Sequence, residues 1–317
     1  MITAQVGSPD DPAVILHGHM DVVPAEDSQF EPRIDGDRLI GRGAYDMKAA
    51  LAAMMLALPK PGEGPEGLRV VLGIVSDEES EEDQDRGSDH LVNSGLRGDF
   101  AITGEPTDMH VGVAAKGVLA VRIGVAGRAA HGSTPWLGDN AVLRAVDVFR
   151  GLESLPFARE SSELFDRPSI NLGRIWGGDA LNKVPDYCAI DVDIRYLPHQ
   201  DPDEILEQIR GLDLARMETI FALPPIDSGI DSPWVTGLIE AADSHHDGTS
   251  VSVGRDGASD AVSFIRVGIP AVEFGPTGAG HHGPEEWVSV SSLNAYLETL
   301  REYLGTGARL ARAKIDD

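Results

Sequence analysis

A single cysteine, Cys188, is present in the chain, so no internal disulfide can form and no thiolate cluster is available to a metal. Basic residues are also scarce. Against 26 Lys and Arg stand 52 Asp and Glu, giving a formal net charge of −26 and a pI near 4.6. Such a surface repels phosphate backbones, so nucleic acid is excluded as an expected partner. No apolar run approaches the length of a bilayer span, the stretch 49–58 being among the longest, and no membrane segment or membrane partner is expected. The opening MITAQVGSPDDP is short and polar and lacks the pattern of a secretory signal, so the cytoplasm is the expected location. A strongly solvated acidic shell suits a high-salt cytoplasm, while the plainer reading is an acidic cytosolic enzyme.

What is present is a globular composition, 42% hydrophobic and 25% charged, over 317 residues, enough for one large domain or two ordinary ones. The first third alternates strand and helix. Residues 13–16 (AVIL) form an apolar run that ends at a polar His-Gly-His, and 46–58 reads as an Ala-, Met- and Leu-rich helix stopped by Pro59. Residues 68–75 (LRVVLGIV) and 99–103 read as further buried strands, with a possible earlier one at 2–6. Three of these strands release polar residues just past their C-terminal ends, where open α/β sheets place their ligands. The middle differs. Residues 117–125, 169–176 and 186–196 read as strands, the last alternating strictly, with helices over 140–152 and 202–212. That order predicts a small α+β sandwich with an antiparallel sheet. The run LPPIDSGIDSP at 223–233 marks a return to the first domain, which ends with a strand at 271–274 and a helix at 290–304.

The candidate chemistry lies at the ends of those strands. His19 and Asp21 occur in HGHMDVVP, Asp46 in GRGAYDMK, Glu78 and Glu79 in SDEES, Glu105 in GEPT, and His281 and His282 in a late HHGPEEWV. A pair of divalent ions needs several such nitrogen and carboxylate donors, one of them able to bridge, and zinc accepts this set where thiolates are absent. Each element alone has an ordinary explanation. His-x-Asp can be a surface hydrogen-bonded pair, Asp46 a helix N-cap, the run from Asp77 to Asp83 a solvated charge cluster, and the paired histidines a loop. Their joint placement at strand ends is what favours a metal site.

The segments GHMDVVP (18–24), GRGAYDMKAALAAM (41–54), SDEES (76–80), GEPT (104–107), HGSTPWLGDNA (131–141), GGDALNKVP (177–185), DVDIRY (191–196) and HHGPEEWV (281–288) occur in the order found in the M20 family of metallopeptidases and deacylases, and cover most of the chain. The chain resembles that family. The resemblance implies an α/β fold: a mixed-sheet, zinc-peptidase-type catalytic domain over 1–115 and 224–317, with an inserted α+β two-layer sandwich over 116–223 serving as lid and dimerisation domain. It implies two divalent ions, zinc first with cobalt or manganese as substitutes. Their ligands would be His19, Asp46 as the bridge, Glu79, Glu105 and His282, with His282 preferred to His281 for its spacing to Pro284 and Glu286. Asp21 would orient His19, and Glu78 would act as general base and then acid. His131 would donate to the developing oxyanion, reaching in from a partner subunit, so a homodimer through the inserted domain is expected. Asn182 and Arg195 would grip a substrate carboxylate, and Gly275 would allow close backbone approach near the acyl group.

Two departures from the family pattern bear on function. Relatives usually carry a longer helical leader before the position of His19; either the start is placed too late or the enzyme is shortened, and in the second case an apolar face of the sheet is expected to need another partner. After the Ser259-Asp260 pair several relatives carry an arginine, whereas Ala261 and Val262 follow here, weakening the case for a second substrate carboxylate. The expected reaction is hydrolysis of an N-acyl amino acid of the deacetylase or desuccinylase type. A metallo-dipeptidase or carboxypeptidase is the alternative, and a non-catalytic binding member of the family is a third reading.

Overall fold

The computed structural model describes residues 1–60, 62–80, 86–257 and 259–313. The chain divides into two compact units, one formed by 1–114, 226–255 and 259–317, the other by 115–225 with 256–258. The larger part of the acidic run after Glu79, residues 81–85, lies outside the described residues.

In chain order the strands are β1 (Ile2–Val6), β2 (Ala13–His19), β3 (Arg33–Asp35), β4 (Arg38–Ile40), β5 (Arg69–Val75), β6 (Phe100–Thr103), β7 (Val111–Ala115), β8 (Gly117–Ala126), β9 (Ser169–Gly177), β10 (Tyr187–Tyr196), β11 (Arg216–Leu223), β12 (Ile226–Asp227), β13 (Ser252–Arg255), β14 (Ala271–Glu273), β15 (Gly278–Ala279) and β16 (Trp287–Ser289). The helices are α1 (Ala49–Ala57), α2 (Gly87–Asn93), α3 (Ala141–Leu152), α4 (Pro202–Arg210), α5 (Pro233–His245), α6 (Ala261–Arg266) and α7 (Val290–Ala313).

The larger unit is built on a mixed sheet in the order β1-β5-β2-β6-β14-β7-β12, with β13 paired to β7. Its centre, β5-β2-β6-β14, is parallel, and β1 and β7 run antiparallel to it. A strand covered on both faces reads as a continuous apolar run rather than an alternating one, and β2 (AVILHGH) is buried at every residue. Helix α7 packs against α1 and α5. Phe100 of β6 stacks on Trp234 of α5 at 5.6 Å and meets Tyr303 of α7, sealing that side of the sheet. A small second sheet, β15-β16-β4-β3, carries the late histidine segment alongside the glycine-rich turn before Asp46.

The smaller unit is an antiparallel sheet, β11-β8-β10-β9, with α3 and α4 on one face. Strict alternation along β8 and β10 sends Leu119, Val121, Ile123 and Val125, and Cys188, Ile190, Val192 and Ile194, toward the helices. They meet Ala141, Ala145, Val148 and Leu152 of α3 and Ile205, Leu206 and Ile209 of α4. Asn140 caps α3 by accepting the N–H of Val142 at 3.0 Å, and Asp201 caps α4 through Asp203 at the same role. On the opposite face Arg122 makes a two-pronged ion pair with Asp191, at 2.8 and 2.9 Å, and lies 4.9 Å over the ring of Trp176. The expected order strand–helix–strand–strand–helix is present and is completed by β11, an edge strand whose largely exposed RMETIFAL gives little period-2 signal.

One expected element starts later. The helix predicted from Asp46 begins at Ala49, because Asp46 and Met47 are non-helical (φ −116°, ψ 99° and φ −129°, ψ 27°) and lie in a wide turn over Ala44–Lys48. Asp46 is therefore not an N-cap. Its carboxylate is free to face the strand ends.

Ile190 is fully buried at the centre of the smaller unit's core. Ile190→Ala should lower unfolding stability by about 2–5 kcal/mol, read from the shift of a denaturant midpoint at unchanged slope.

Candidate metal centre

His19 is the last residue of β2, Glu78 and Glu79 follow β5, and Glu105 follows β6 by two residues. Three adjacent parallel strands thus deliver donors to one edge, the C-terminal edge at which such sheets bind ligands. Asp46 arrives from the turn before α1, and His281 and His282 from the segment between β15 and β16.

Asp46 is at the centre, and its two oxygens face different partners. Oδ1 lies 3.1 Å from His19 Nε2, which is also 3.9 Å from Glu105. Oδ2 lies 2.6 Å from His281 Nε2 and 3.1 Å from His282 Nε2, and His282 Nε2 is in turn 3.0 Å from Glu79. His19 and Glu105 thus lie on one side of Asp46, and His281 and His282, the latter joined to Glu79, on the other. That is the arrangement a bridging carboxylate requires. His281 is closer to Asp46 than the sequence reading allowed, but of the two histidines it is His282 that also reaches Glu79. The cluster Asp46, His281 and His282 has donor atoms close enough to hold an ion, as do His19–Asp46–Glu105 and His19–Glu78–Glu79.

Asp21 holds two of these groups. Its carbonyl faces His19 Nδ1 at 3.2 Å, which leaves Nε2 for the site, and its Oδ2 accepts the Glu79 N–H at 2.9 Å. Glu105 Oε1 is buried and has no hydrogen-bond partner. A buried carboxylate oxygen left bare beside imidazole nitrogens, with no thiolate in reach, fits a borderline-to-hard divalent cation.

In the metal-free protein the carboxylates compete for protons. Burial, reinforced by Asp46, holds Glu105 well above the ordinary carboxylate range. Burial and then Asp46 raise Glu79, while burial and then Asp260 push Glu78 up to about 7. Burial alone would depress His19, but Asp46 and Glu105 overcome it and push it up to about 10. Burial opposes ionisation of Asp46 too, yet the hydrogen bonds from His19 and His281 hold it far below the usual range.

The remaining expected residues are in the smaller unit, apart from Gly275. His131 is exposed, and its Nδ1 lies 3.2 Å from the Ser133 backbone nitrogen and 2.8 Å from Ser133 Oγ, so Ser133 engages Nδ1 rather than Nε2. The Gly132 N–H donates to the Asn182 carbonyl at 2.7 Å, and His131 bridges to Lys183, so the His131 and Asn182 loops lie side by side. Arg195 is paired with Asp193 at 3.0 to 3.2 Å, leaving less of its guanidinium for a substrate than the sequence reading assumed. Gly275 donates its N–H to Thr107 at 3.0 Å, its carbonyl accepts from Met109 at 2.9 Å, and a Cβ there would strike the Glu105 carbonyl. Glycine is thus required here by the close approach of the Glu105 backbone. Sequence reasoning missed Asp260, which is buried, accepts Ser88 Oγ at 2.8 Å and lies 3.7 Å from His17.

The profile of peptidase family M20/M25/M40 matches residues 15–306. A Mycobacterium tuberculosis protein named as a succinyl-diaminopimelate desuccinylase, DapE, is 31% identical over 301 residues, which cover 92% of this chain and 82% of that protein. A Paracoccidioides lutzii protein named as a carboxypeptidase is 30% identical, over 90% of this chain and 68% of that one. Among solved structures, an aminopeptidase PepT from Bacillus cereus superposes with a TM-score of 0.78 at 22% identity, over 98% of this chain and 83% of that one. The chain belongs to the M20 peptidase family and is a metallo-amidohydrolase of that family.

The pKa shifts predict an unusual pH dependence for the metal-free protein. Glu78 is raised from 4.5 to about 7 and His19 from 6.5 to about 10, so each stabilises the fold in its protonated form. That contribution is complete below the unfolded pKa and is lost as pH rises through the folded one. Asp46, whose pKa is lowered, acts in the opposite sense only below its ordinary 3.8. The thermal midpoint of metal-stripped protein should therefore fall steadily between about pH 5 and pH 10, and saturating divalent cation should abolish the fall. A flat metal-free profile would contradict this account of the site.

Proposed function

We propose that the protein hydrolyses the amide bond of an N-acyl amino acid, in the manner of a deacetylase or desuccinylase. The observation that carries this reading is the position of Glu78, a half-buried carboxylate with no ligand role required of it, grouped with His19 and Glu79 beside the two donor sets that share Asp46. The ligands are His19, Asp46, Glu79, Glu105 and His282, and the ions are zinc, with cobalt or manganese able to substitute. When bound, such ions supply Lewis acidity toward a water and toward the scissile carbonyl. Glu78 takes the proton of the attacking water and hands it to the leaving amine. Asp21 keeps His19 in the tautomer that presents Nε2. His131 donates to the oxyanion, and Asn182 and Arg195 bind the substrate carboxylate, Arg195 with whatever donors its pairing to Asp193 leaves.

The relative named as a desuccinylase supports an acyl substrate. The relative named as a carboxypeptidase favours the second reading, hydrolysis of a short peptide. A non-catalytic binding role is the weakest of the three, because such a protein has no use for Glu78. The reading includes a cytoplasmic location and a homodimer formed through the smaller unit. Among the described residues no helix is long and apolar enough to cross a membrane. The sheet of the smaller unit ends at β9, where Ile175 and Trp176 are exposed, and Leu143 and Leu181 of the same unit are exposed as well.

Metal-loaded protein offered N-acetyl-ornithine, N-succinyl-diaminopimelate, N-acetyl-methionine and simple dipeptides should turn over an N-acyl substrate fastest. Turnover of dipeptides alone would select the second reading, and turnover of none would sink the first. Glu78→Gln should reduce kcat by about 10²–10⁴-fold while both metals stay bound, whereas metal loss would show that Glu78 is a ligand. Sedimentation equilibrium should give twice the 33.8 kDa chain mass, and a monomer at all concentrations would remove the dimer.

A further inference from the structure

A buried ion pair lies where two of the ligand-bearing loops meet. Glu286, with a side chain 1% exposed, accepts Arg42 Nη1 at 2.6 Å and the Gly43 N–H at 3.0 Å on Oε2. Its Oε1 accepts the N–H groups of Tyr45 at 2.9 Å and of Asp46 at 3.0 Å. All four donors come from residues 42–46, so one carboxylate sets the course of the turn that ends at Asp46. That turn has no slack. Gly43 has φ 77°, and a Cβ on it would lie 2.6 Å from Val22 Cγ1.

Arg42, with a side chain 3% exposed, turns its other amino group to the second loop. Nη2 donates to the carbonyls of His282 at 3.1 Å and Gly283 at 3.0 Å, and the Gly41 N–H closes the same seam on the Glu286 carbonyl at 3.0 Å. His282 has φ 57°, a left-handed conformation disfavoured for a residue with a side chain, and its carbonyl is one of those that Arg42 holds. A buried ion pair is a poor way to gain stability alone, since an apolar replacement often does as well. What the pair provides is direction. The guanidinium is a rigid fork, with one amino group for each loop, and the carboxylate has an acceptor for each N–H of the turn.

We propose that Glu286 and Arg42 are positioning residues, a buried clamp that fixes the Asp46 turn and the His282 loop to each other and so sets the spacing of those two side chains before any metal binds. The inference rests on the reading of Asp46 and His282 as ligands. Through them the clamp governs the side of the site shared with Glu79, while His19 and Glu105, carried on strand ends, are outside its reach.

The test is a Co²⁺ titration of the metal-stripped full chain, followed by visible absorption and by competition with a chelator, alongside thermal unfolding of the metal-free protein. In Glu286→Gln and Arg42→Lys one of the two Co²⁺ ions should bind about 10–100-fold more weakly, with a changed visible spectrum. The other ion, which shares Asp46 but not His282, should weaken less, and kcat should fall at a little-changed KM. Arg42→Lys retains charge and bulk and serves if Glu286→Gln does not fold. Ile190→Ala, which weakens the protein far from these loops in sequence and in the other unit, should leave both affinities unchanged. Wild-type affinity and spectrum in folded Arg42→Lys and Glu286→Gln would overturn the clamp alone. Failure of the wild-type chain to bind Co²⁺ would overturn the metal-site reading and the clamp with it.

Discussion

Asp46, Glu78, Glu79 and Glu105 converge at the ends of buried strands, and their mutual repulsion is the constraint to which the rest of the site answers. Two unit charges 4 Å apart interact by about 4 kcal/mol at the effective dielectric typical of proteins, so such a group cannot be fully ionised without cations among it. Three imidazoles facing Asp46 relieve part of the strain in the metal-free protein, and protons held by Glu105 and Glu78 relieve more. A pair of divalent cations held among these residues would relieve it more completely. In the metal-free protein it is burial, and then Asp260, that raises Glu78. A carboxyl pushed up to about 7 can both take and return a proton near neutral pH.

Much of this was legible in the chain because strand ends announce themselves. The apolar runs that become β2, β5 and β6 stop at His19, at Ser76 and at Gly104, and the donors come within three residues of each stop. The direction of the Glu78 shift was not legible, since it depends on burial first and then on Asp260, a residue far along the chain that folding brings close. Asp46 looked like a helix cap because an acid before an alanine-rich run usually is one. Only the backbone of the 44–48 turn reveals that the helix starts after it. Glu286 stood in a motif already noticed, HHGPEEWV, but its four donors are in another segment, and no periodicity links 42–46 to 286. The edge strand β11 and the short strands β12, β13 and β15 were missed for a different reason. They are too short or too exposed to carry a hydrophobic pattern.

The larger unit contains the proposed donors and the proposed base, at the ends of its parallel strands. The smaller one contains His131, Asn182 and Arg195, and here ordinary structural ties compete with functional ones, as the pairing of Arg195 with Asp193 illustrates. Family membership fixes the bond that is broken more firmly than the molecule that contains it. Relatives of similar identity are named for an acyl substrate and for a peptide.

The strand order also dictates a sequence of events in time. β6 and β7 are neighbours along the chain, yet in the sheet β14 lies between them. A ribosome must therefore make the whole of the smaller unit, whose own strand pairings all fall within residues 117–223, before the strand that joins the two halves of the larger sheet exists. At about 5–20 residues per second, the early strands wait tens of seconds with an edge exposed. The smaller unit has everything its sheet needs well before then. His282 emerges later still, so the proposed ligand set cannot be complete in a nascent chain until the segment between β15 and β16 has been made.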